Sequence, residues 1–332
     1  MSGGMFNNLV NRHDAVTLGQ RLVSAGPSVV RRMLAGPAPA RVAATWDGRV
    51  VSDSQWYAVP AVHRRRRLLV TGDAECDFST WALARVAAGR RDLRALVPGC
   101  GSGYHVGRWA ALGAFTHIDA FDLSPVQVAG AQADARTARL DHVLSVGVAD
   151  MRTVALEPAH YDMVVAEHAL HHFAPVTDAI DRLATALKPG GVLYADEFVG
   201  PTLHQWPARQ LELANDHLAR LPRRLRMQEN GREKTRVLRP SRCRMYLLDP
   251  SEAVDSAAIL PALRRTFEID ELRGYGGSLL QLVLSGIGHH FADDDAEAKQ
   301  HLQALFAAED ALLARGELAH DFVVALCRRP AT

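Results

Sequence analysis

Residues 93–103 read Leu-Arg-Ala-Leu-Val-Pro-Gly-Cys-Gly-Ser-Gly. An apolar run of strand length passes into a turn with three glycines, and a helical pattern follows from Tyr104. Glycine allows a tight turn and a close approach of backbone to ligand, while the start of the next helix presents free amide groups. In open α/β sheets, ligands bind outside the carboxyl ends of the strands. The stretch therefore predicts the first strand of such a sheet, followed by a ligand site.

On either side of this stretch, short β-rich runs alternate with helical patterns. This alternation is typical of a parallel sheet that is covered on both faces. The predicted strands are 93–97, 116–121, 143–148, 161–165, 191–194, 266–272 and 322–327. We therefore predict an α/β fold with a seven-stranded, mainly parallel sheet, helices on both faces and an antiparallel last strand.

The chain divides into four predicted segments. Residues 1–72 form an N-terminal helical extension with a helix over 15–34, and residues 73–200 form the ligand-binding core. Residues 201–250 read as an inserted, arginine-rich helical cap, and residues 251–332 complete the core with a helical insert. A helix over 250–265 is predicted, with Asp249 as its N-cap and Pro250 in its first turn.

Composition narrows the class of protein. The 332 residues carry a net charge of +1, so no global field attracts nucleic acid or an anionic membrane. The four cysteines show no metal-like spacing and fit a reducing, cytoplasmic location. No apolar run approaches the roughly 18 residues of a membrane span. The arginine clusters at 64–67 and 220–244 are interpreted as solvated faces that pair with acids near 293–297 and 309–310, although an anionic acceptor stays open.

The glycine pattern distinguishes between possible nucleotide ligands. A dinucleotide fingerprint, G-x-G-x-x-G, would place its last glycine at Tyr104 or Val106, so both frames fail. The second strand ends in Asp122, 19 residues after Gly103 and close to the spacing of an acid that binds ribose hydroxyls.

Five motifs in this order resemble those of the class I, Rossmann-like S-adenosylmethionine-dependent methyltransferases, in particular bacterial enzymes that act on small molecules. They are Gly-Cys-Gly-Ser-Gly, the Asp122 strand end, Asp150-Met151, the segment 167–173 and Lys188-Pro189-Gly190-Gly191. The resemblance implies S-adenosylmethionine as cofactor, with Asp150 at the adenine amino group and Met151 against the ring. The cofactor-binding residues that it implies are Pro98, Gly99, Cys100, Gly101, Gly103, Asp122, Leu123, Asp150, Met151 and Glu167.

The same resemblance implies methyl transfer to a small-molecule acceptor, most simply to oxygen, in secondary metabolism or glycan biosynthesis. An oxygen acceptor usually needs a general base, and His168, His172 and Glu197 are the predicted catalytic residues. Oxygen ligands at Glu167, Asp196 and Glu197 suit a divalent cation, but their spacing is not diagnostic, and no metal is predicted. Transfer to nitrogen or carbon, a non-catalytic binding module and a homodimer stay open, whereas no nucleic-acid partner is expected.

Overall fold

The computed structural model describes residues 42–43, 54–248, 250–292 and 294–331. Its strands are β1 (Leu93–Pro98), β2 (Phe115–Asp122), β3 (Leu144–Val148), β4 (Tyr161–Glu167), β5 (Leu187–Phe198), β6 (Glu268–Gly274) and β7 (Phe322–Arg328). They form one sheet in the order β3-β2-β1-β4-β5-β7-β6. Strand β7 is antiparallel to both β5 and β6, and the other pairs are parallel. The predicted sheet is thus confirmed, including its antiparallel last strand.

Helices cover both faces of the sheet, as predicted. They are α1 (Pro60–Thr71), α2 (Phe78–Val86), α3 (Tyr104–Ala111), α4 (Pro125–Thr137), α5 (Val176–Ala186), α6 (Ala208–Ala219), α7 (Arg242–Leu248), α8 (Ile259–Thr266), α9 (Leu280–Leu284) and α10 (Ala296–Ala314). Helix α5 shows why such a helix packs on the sheet. Val176, Ile180 and Leu183 recur at helical spacing, and all three are buried. They join one of two apolar clusters, and Trp109 of α3 joins the other. No helix among these described residues is long and apolar enough to cross a membrane.

The strand order determines where on the sheet a ligand can bind. From β1 the chain moves outward to β2 and β3, and it then returns to β4 on the other side of β1. The two halves of the sheet therefore diverge between β1 and β4, which is where open α/β sheets bind their ligands. The carboxyl ends of β1, β2, β3 and β4 lie along this one edge because these strands are parallel.

Two local predictions were wrong. Strand β5 begins at Leu187 and not at residue 191, because Gly190 and Gly191 pair with the Arg329 backbone and continue the ladder. The helix predicted over 250–265 is present only as α8, and turns precede it. Asp255 accepts the Val176 N–H at 3.0 Å, so a tertiary contact holds this segment. Asp249, the predicted cap, lies outside the described residues.

The predicted cap is only partly helical. Between its helices, residues 227–241 contain a bridge from Met227 to Glu233 around a turn at Gly231. Apolar side chains of the predicted cap belong to the larger of the two apolar clusters. They include Trp206, Leu213 and Leu225. The predicted helix over 15–34 lies outside the described residues, and the division into four segments stays a prediction.

Candidate active site

The glycine-rich turn after β1 packs against helix α4. Gly103 has a φ of 81°, and a Cβ there would lie 2.6 Å from the Cβ of Ala131. Both facts require glycine at this position. At Gly101 no atom lies within 4 Å of the position that a Cβ would occupy. The backbone of the turn therefore faces open space where a bound nucleotide would approach.

Asp122 connects the turns that follow β1 and β2. One carboxylate oxygen, Oδ2, accepts the Gly101 N–H at 2.9 Å, and Oδ1 accepts the Ser124 N–H at 2.8 Å. The backbone carbonyl of Asp122 accepts the Ala149 N–H at 3.0 Å, which brings the segment after β3 to the same place. Asp122 is only partly buried.

Other residues of the predicted cofactor set lie at the same edge. Pro98 ends β1, Gly99 follows it directly, and the half-buried Leu123 follows Asp122. The Cys100 N–H donates to the Phe121 carbonyl at 3.0 Å. Burial, together with the charge of Asp122, raises the pKa of Cys100 to about 12. Its thiol therefore stays protonated at neutral pH and is not an activated nucleophile.

Asp150 and Met151 follow β3. The hydrogen bond from the Arg152 guanidinium, 2.6 Å from Nη2 to Oδ2, lowers the pKa of Asp150. Its carboxylate is therefore ionised and faces a cation that the sequence did not indicate. Met151 is buried in the apolar cluster with Phe121.

Glu167, at the end of β4, is held by three side chains. Arg108 Nη2 donates to both of its oxygens at 2.8 and 2.9 Å, and Trp109 Nε1 donates to Oε1 at 2.9 Å. His105 Nδ1 lies 2.7 Å from Oε2. Burial alone would raise the pKa of Glu167, but the hydrogen bond from His105 and the charges of His105 and Arg108 outweigh it and lower the pKa to about 2.

Replacing Glu167 with glutamine is expected to lower the free energy of unfolding at pH 7 by about 3 kcal/mol, because Arg108 loses its charged partner in a buried place. The folded pKa of Glu167 is below its unfolded value. Its stabilising effect is therefore complete above about pH 4.5 and is lost as the pH falls towards 2. Urea unfolding of both proteins across this range measures the difference. A gap that stays constant from pH 7 to pH 2.5 would contradict the expectation.

The predicted catalytic residues lie in and beside the turn after β4. The rings of His168 and His171 are 6.4 Å apart, and those of His171 and His172 are 4.1 Å apart. Glu197 of β5 is fully buried: Oε1 accepts the N–H groups of Ala169 and Leu170, both at 2.7 Å, and Oε2 lies 2.7 Å from His171 Nδ1. Glu197 thus contacts the histidine turn (residues 168–172) itself. This position favours a role in holding the turn, and not a contact with an acceptor.

His168 directly follows β4. Its side chain is 38% exposed, and its Nε2 is 3.8 Å from Asp196 Oδ2. Its backbone has a φ of 52°, and its N–H donates to the Asp196 carbonyl at 2.8 Å. Desolvation, followed by the charge of Arg66, lowers the pKa of His168. The imidazole is therefore uncharged at neutral pH and able to accept a proton.

Sequence reasoning missed a buried ionic cluster under His168. Arg66 Nη2 donates to the Tyr275 hydroxyl at 3.1 Å and lies 3.7 Å from Asp196, while that hydroxyl donates to Asp196 at 2.6 Å. Burial raises the pKa of Asp196. A signal was present, because Val62, Arg66 and Val70 share the buried face of α1 at a spacing of four. The predicted surface pairing is found at other arginines, with Arg65 on Asp310 and Arg224 on Asp295 and Glu297.

Comparisons with known proteins point to a methyltransferase domain. Residues 96–195 match the family model described as a methyltransferase domain. A segment of 111 residues is 34% identical to malonyl-[acyl-carrier protein] O-methyltransferase of Enterobacter lignolyticus and covers 33% of this chain and 41% of that protein. Another of 55 residues is 42% identical to an uncharacterized methyltransferase of Mycobacterium tuberculosis and covers 17% and 28%. The chain therefore spans less than half the length of these curated relatives.

Among solved structures, geranyl diphosphate C-methyltransferase from Streptomyces coelicolor aligns with a TM-score of 0.49 and 13% identity, covering 89% of this chain and all of that one. The matched span of 96–195 runs from β1 into β5 and so contains the glycine-rich turn, Asp122, Asp150 and the histidine turn. Residues 96–195 of this chain are thus similar to a methyltransferase domain.

Proposed function

We propose that this chain transfers the methyl group of S-adenosylmethionine to an oxygen atom of a small-molecule acceptor. The observation that carries the proposal is the partly exposed imidazole of His168, which directly follows β4 and has its Nε2 3.8 Å from Asp196 Oδ2. A sulfonium methyl group is already activated, so the protein has to align the acceptor and remove its proton. In this proposal His168 takes the proton, and the carboxylate of Asp196 stabilises the imidazolium that forms.

The cofactor in this proposal occupies the edge formed by β1 to β4. Open space at Gly101 admits the cofactor, Asp122 accepts the ribose hydroxyls, and the segment 149–151 borders the adenine. Glu167 acts indirectly, since its oxygens are engaged by Arg108, His105 and Trp109. It holds α3 against the end of β4, next to the proposed cofactor edge.

The proposal is tested in two steps. Calorimetric titration with S-adenosylhomocysteine should show saturable binding by the folded chain, whereas NADH should show none. Transfer of labelled methyl groups is then measured with matched panels of small hydroxyl compounds and small amines. Labelling confined to the hydroxyl panel supports an oxygen acceptor, and labelling confined to the amines would reject it. A folded chain that binds NADH and not S-adenosylhomocysteine would reject the cofactor as well.

Replacing His168 with glutamine should lower kcat by about 100-fold or more while leaving the Kd for S-adenosylhomocysteine within about threefold, because the imidazole acts on the acceptor and not on the cofactor. His160→Gln is the matched control, since it precedes the opposite end of β4. The lowered pKa also predicts no loss of rate from protonation of His168 as the pH falls from 8 to 6.5. Equal rates for wild type and His168→Gln would exclude His168 as the base.

A further inference from the structure

A second group of side chains converges next to the histidine turn. One ring nitrogen from each of His171 and His172 and one carboxylate oxygen of Glu252 all lie within 4.8 Å of one another. Glu252 Oε1 is 3.9 Å from His171 Nε2 and 3.7 Å from His204 Nε2. These separations are too long for hydrogen bonds. They approach the spacing of about 3.4 Å that ligand atoms have around a tetrahedral ion with bonds of about 2.1 Å.

The neighbours of these histidines fix which nitrogen can bind an ion. His171 Nδ1 lies 2.7 Å from the buried carboxylate of Glu197, which accepts a hydrogen bond from the Nδ1–H group. In this tautomer Nε2, which is 3.9 Å from Glu252 Oε1, carries the lone pair. Carboxylates orient metal-binding histidines in this way in many proteins. His172 Nδ1 lies 3.2 Å from the Ser251 carbonyl. Because a carbonyl can only accept, Nδ1 carries the proton, and Nε2 is the nitrogen able to bind a metal.

The backbone holds the three contributing segments together. The Val254 N–H donates to the His171 carbonyl at 3.1 Å, and the Leu203 N–H donates to the Ala253 carbonyl at 2.6 Å. The turn after β4, the segment around residue 204 and the segment around residue 252 are thus directly connected. His204 is further fixed by stacking on Trp206 at 4.8 Å between ring centroids. These backbone connections hold the segments that carry the four side chains close together.

We propose that His171, His172, Glu252 and His204 form a binding site for a divalent transition metal of the Zn²⁺ type. Imidazole nitrogens with one carboxylate suit Zn²⁺, whereas Mg²⁺ and Ca²⁺ prefer oxygen ligands. The sequence predicts no metal, and its candidate oxygen ligands are Glu167, Asp196 and Glu197. All three have other partners here, because Glu167 binds Arg108, Asp196 accepts from the Tyr275 hydroxyl and Glu197 binds the histidine turn. The site borders His168, whose ring lies 6.4 Å from that of His171.

The test is metal binding by the full chain after treatment with a chelator, without methyl donor or acceptor, so its outcome is independent of the proposed methyl transfer. Calorimetric titration with ZnCl₂ should show one equivalent bound, and MgCl₂ should show none. Co²⁺ should give visible absorption bands that Zn²⁺ abolishes. Glu252→Gln and His172→Gln should each weaken Zn²⁺ binding at least tenfold, while the exposed control His142→Gln should leave it unchanged.

Glu197→Gln tests the orienting carboxylate separately. Loss of such a partner weakens metal binding by about 10- to 100-fold, and a purely structural role would lower the unfolding temperature without this change in Zn²⁺ affinity. Thermal unfolding of each variant identifies any that fail to fold, and His172→Gln, at a half-buried position, is the variant expected to fold normally. A folded wild type that binds no Zn²⁺, or equal Zn²⁺ affinity in the wild type, Glu252→Gln and His172→Gln, would overturn the proposal.

Discussion

Asp122→Ala is expected to weaken the binding of S-adenosylhomocysteine by about 100-fold or more. Two hydrogen bonds from ribose hydroxyls to a carboxylate are lost, and each bond to a charged group contributes about 1.5–3 kcal/mol. The variant also releases the Gly101 and Ser124 N–H groups that the carboxylate accepts at 2.9 and 2.8 Å. The turn after β1 therefore loses its connection to β2 as well as its contact with the ligand. Calorimetric titration at constant pH measures the change.

Asp119→Ala is the matched control for Asp122→Ala. Asp119 lies three residues earlier on β2, and its side chain meets His117 and Tyr161 instead of the glycine-rich turn. The affinity of Asp119→Ala for S-adenosylhomocysteine should equal that of the wild type within about twofold. If both variants weaken binding equally, general damage to β2 explains the loss, and the assignment of Asp122 to the ribose is wrong.

Gly103→Ala is expected to lower the free energy of unfolding by about 2–5 kcal/mol and to abolish cofactor binding. The added Cβ would lie 2.6 Å from Ala131 Cβ and 3.1 Å from Ala131 Cα, and the residue has a φ of 81°. The left-handed conformation costs about 1–2 kcal/mol in a non-glycine residue, and overpacking adds about 1–3 kcal/mol. To relieve the overlap, the turn must move away from α4, which displaces the amide groups that would face the cofactor.

Gly107→Ala is the control for Gly103→Ala, four residues later in α3. A Cβ at Gly107 meets no atom within 4 Å, and alanine is favoured over glycine inside a helix by about 0.5–1 kcal/mol. The Gly107 variant should therefore unfold at the same or a slightly higher denaturant concentration and bind S-adenosylhomocysteine normally. Equal destabilisation of the two variants would contradict the steric explanation.

The core of the fold was predictable because its signals are local. The strands from 93 to 198 contain short β-rich runs, most of them close to glycine, proline or aspartate, and such runs are readable without tertiary information. The location of Gly101, Asp122 and Asp150 at one edge was predictable as well, because parallel neighbouring strands end at the same side of a sheet. The cofactor half of the site thus depended only on the ends of consecutive strands.

The acceptor half was less predictable because its contacts join distant parts of the chain. Tyr275 contacts Asp196 across 79 residues, and Glu252 approaches His171 across 81. No local pattern indicates which of several histidines and acids will meet. Arg66 was interpreted as one of four surface arginines, although its spacing from Val62 and Val70 already indicated the buried face. The helix expected over 250–265 failed similarly, since contacts to Val176 and Gly200 hold its first part in turns.

The position of β7 has a consequence for biosynthesis. Of the seven strands, β7 leaves the ribosome last, yet it lies between β5 and β6 and hydrogen-bonds to both. Until residues 322–328 emerge, β5 has one open side, and β6 has no partner among the other strands that the structure describes. Unpaired strand edges are prone to intermolecular association. Nascent chains stalled before Phe322 are therefore the species most dependent on chaperone protection, and a fusion partner placed after β7 delays the closure of the sheet less than an insertion placed before it.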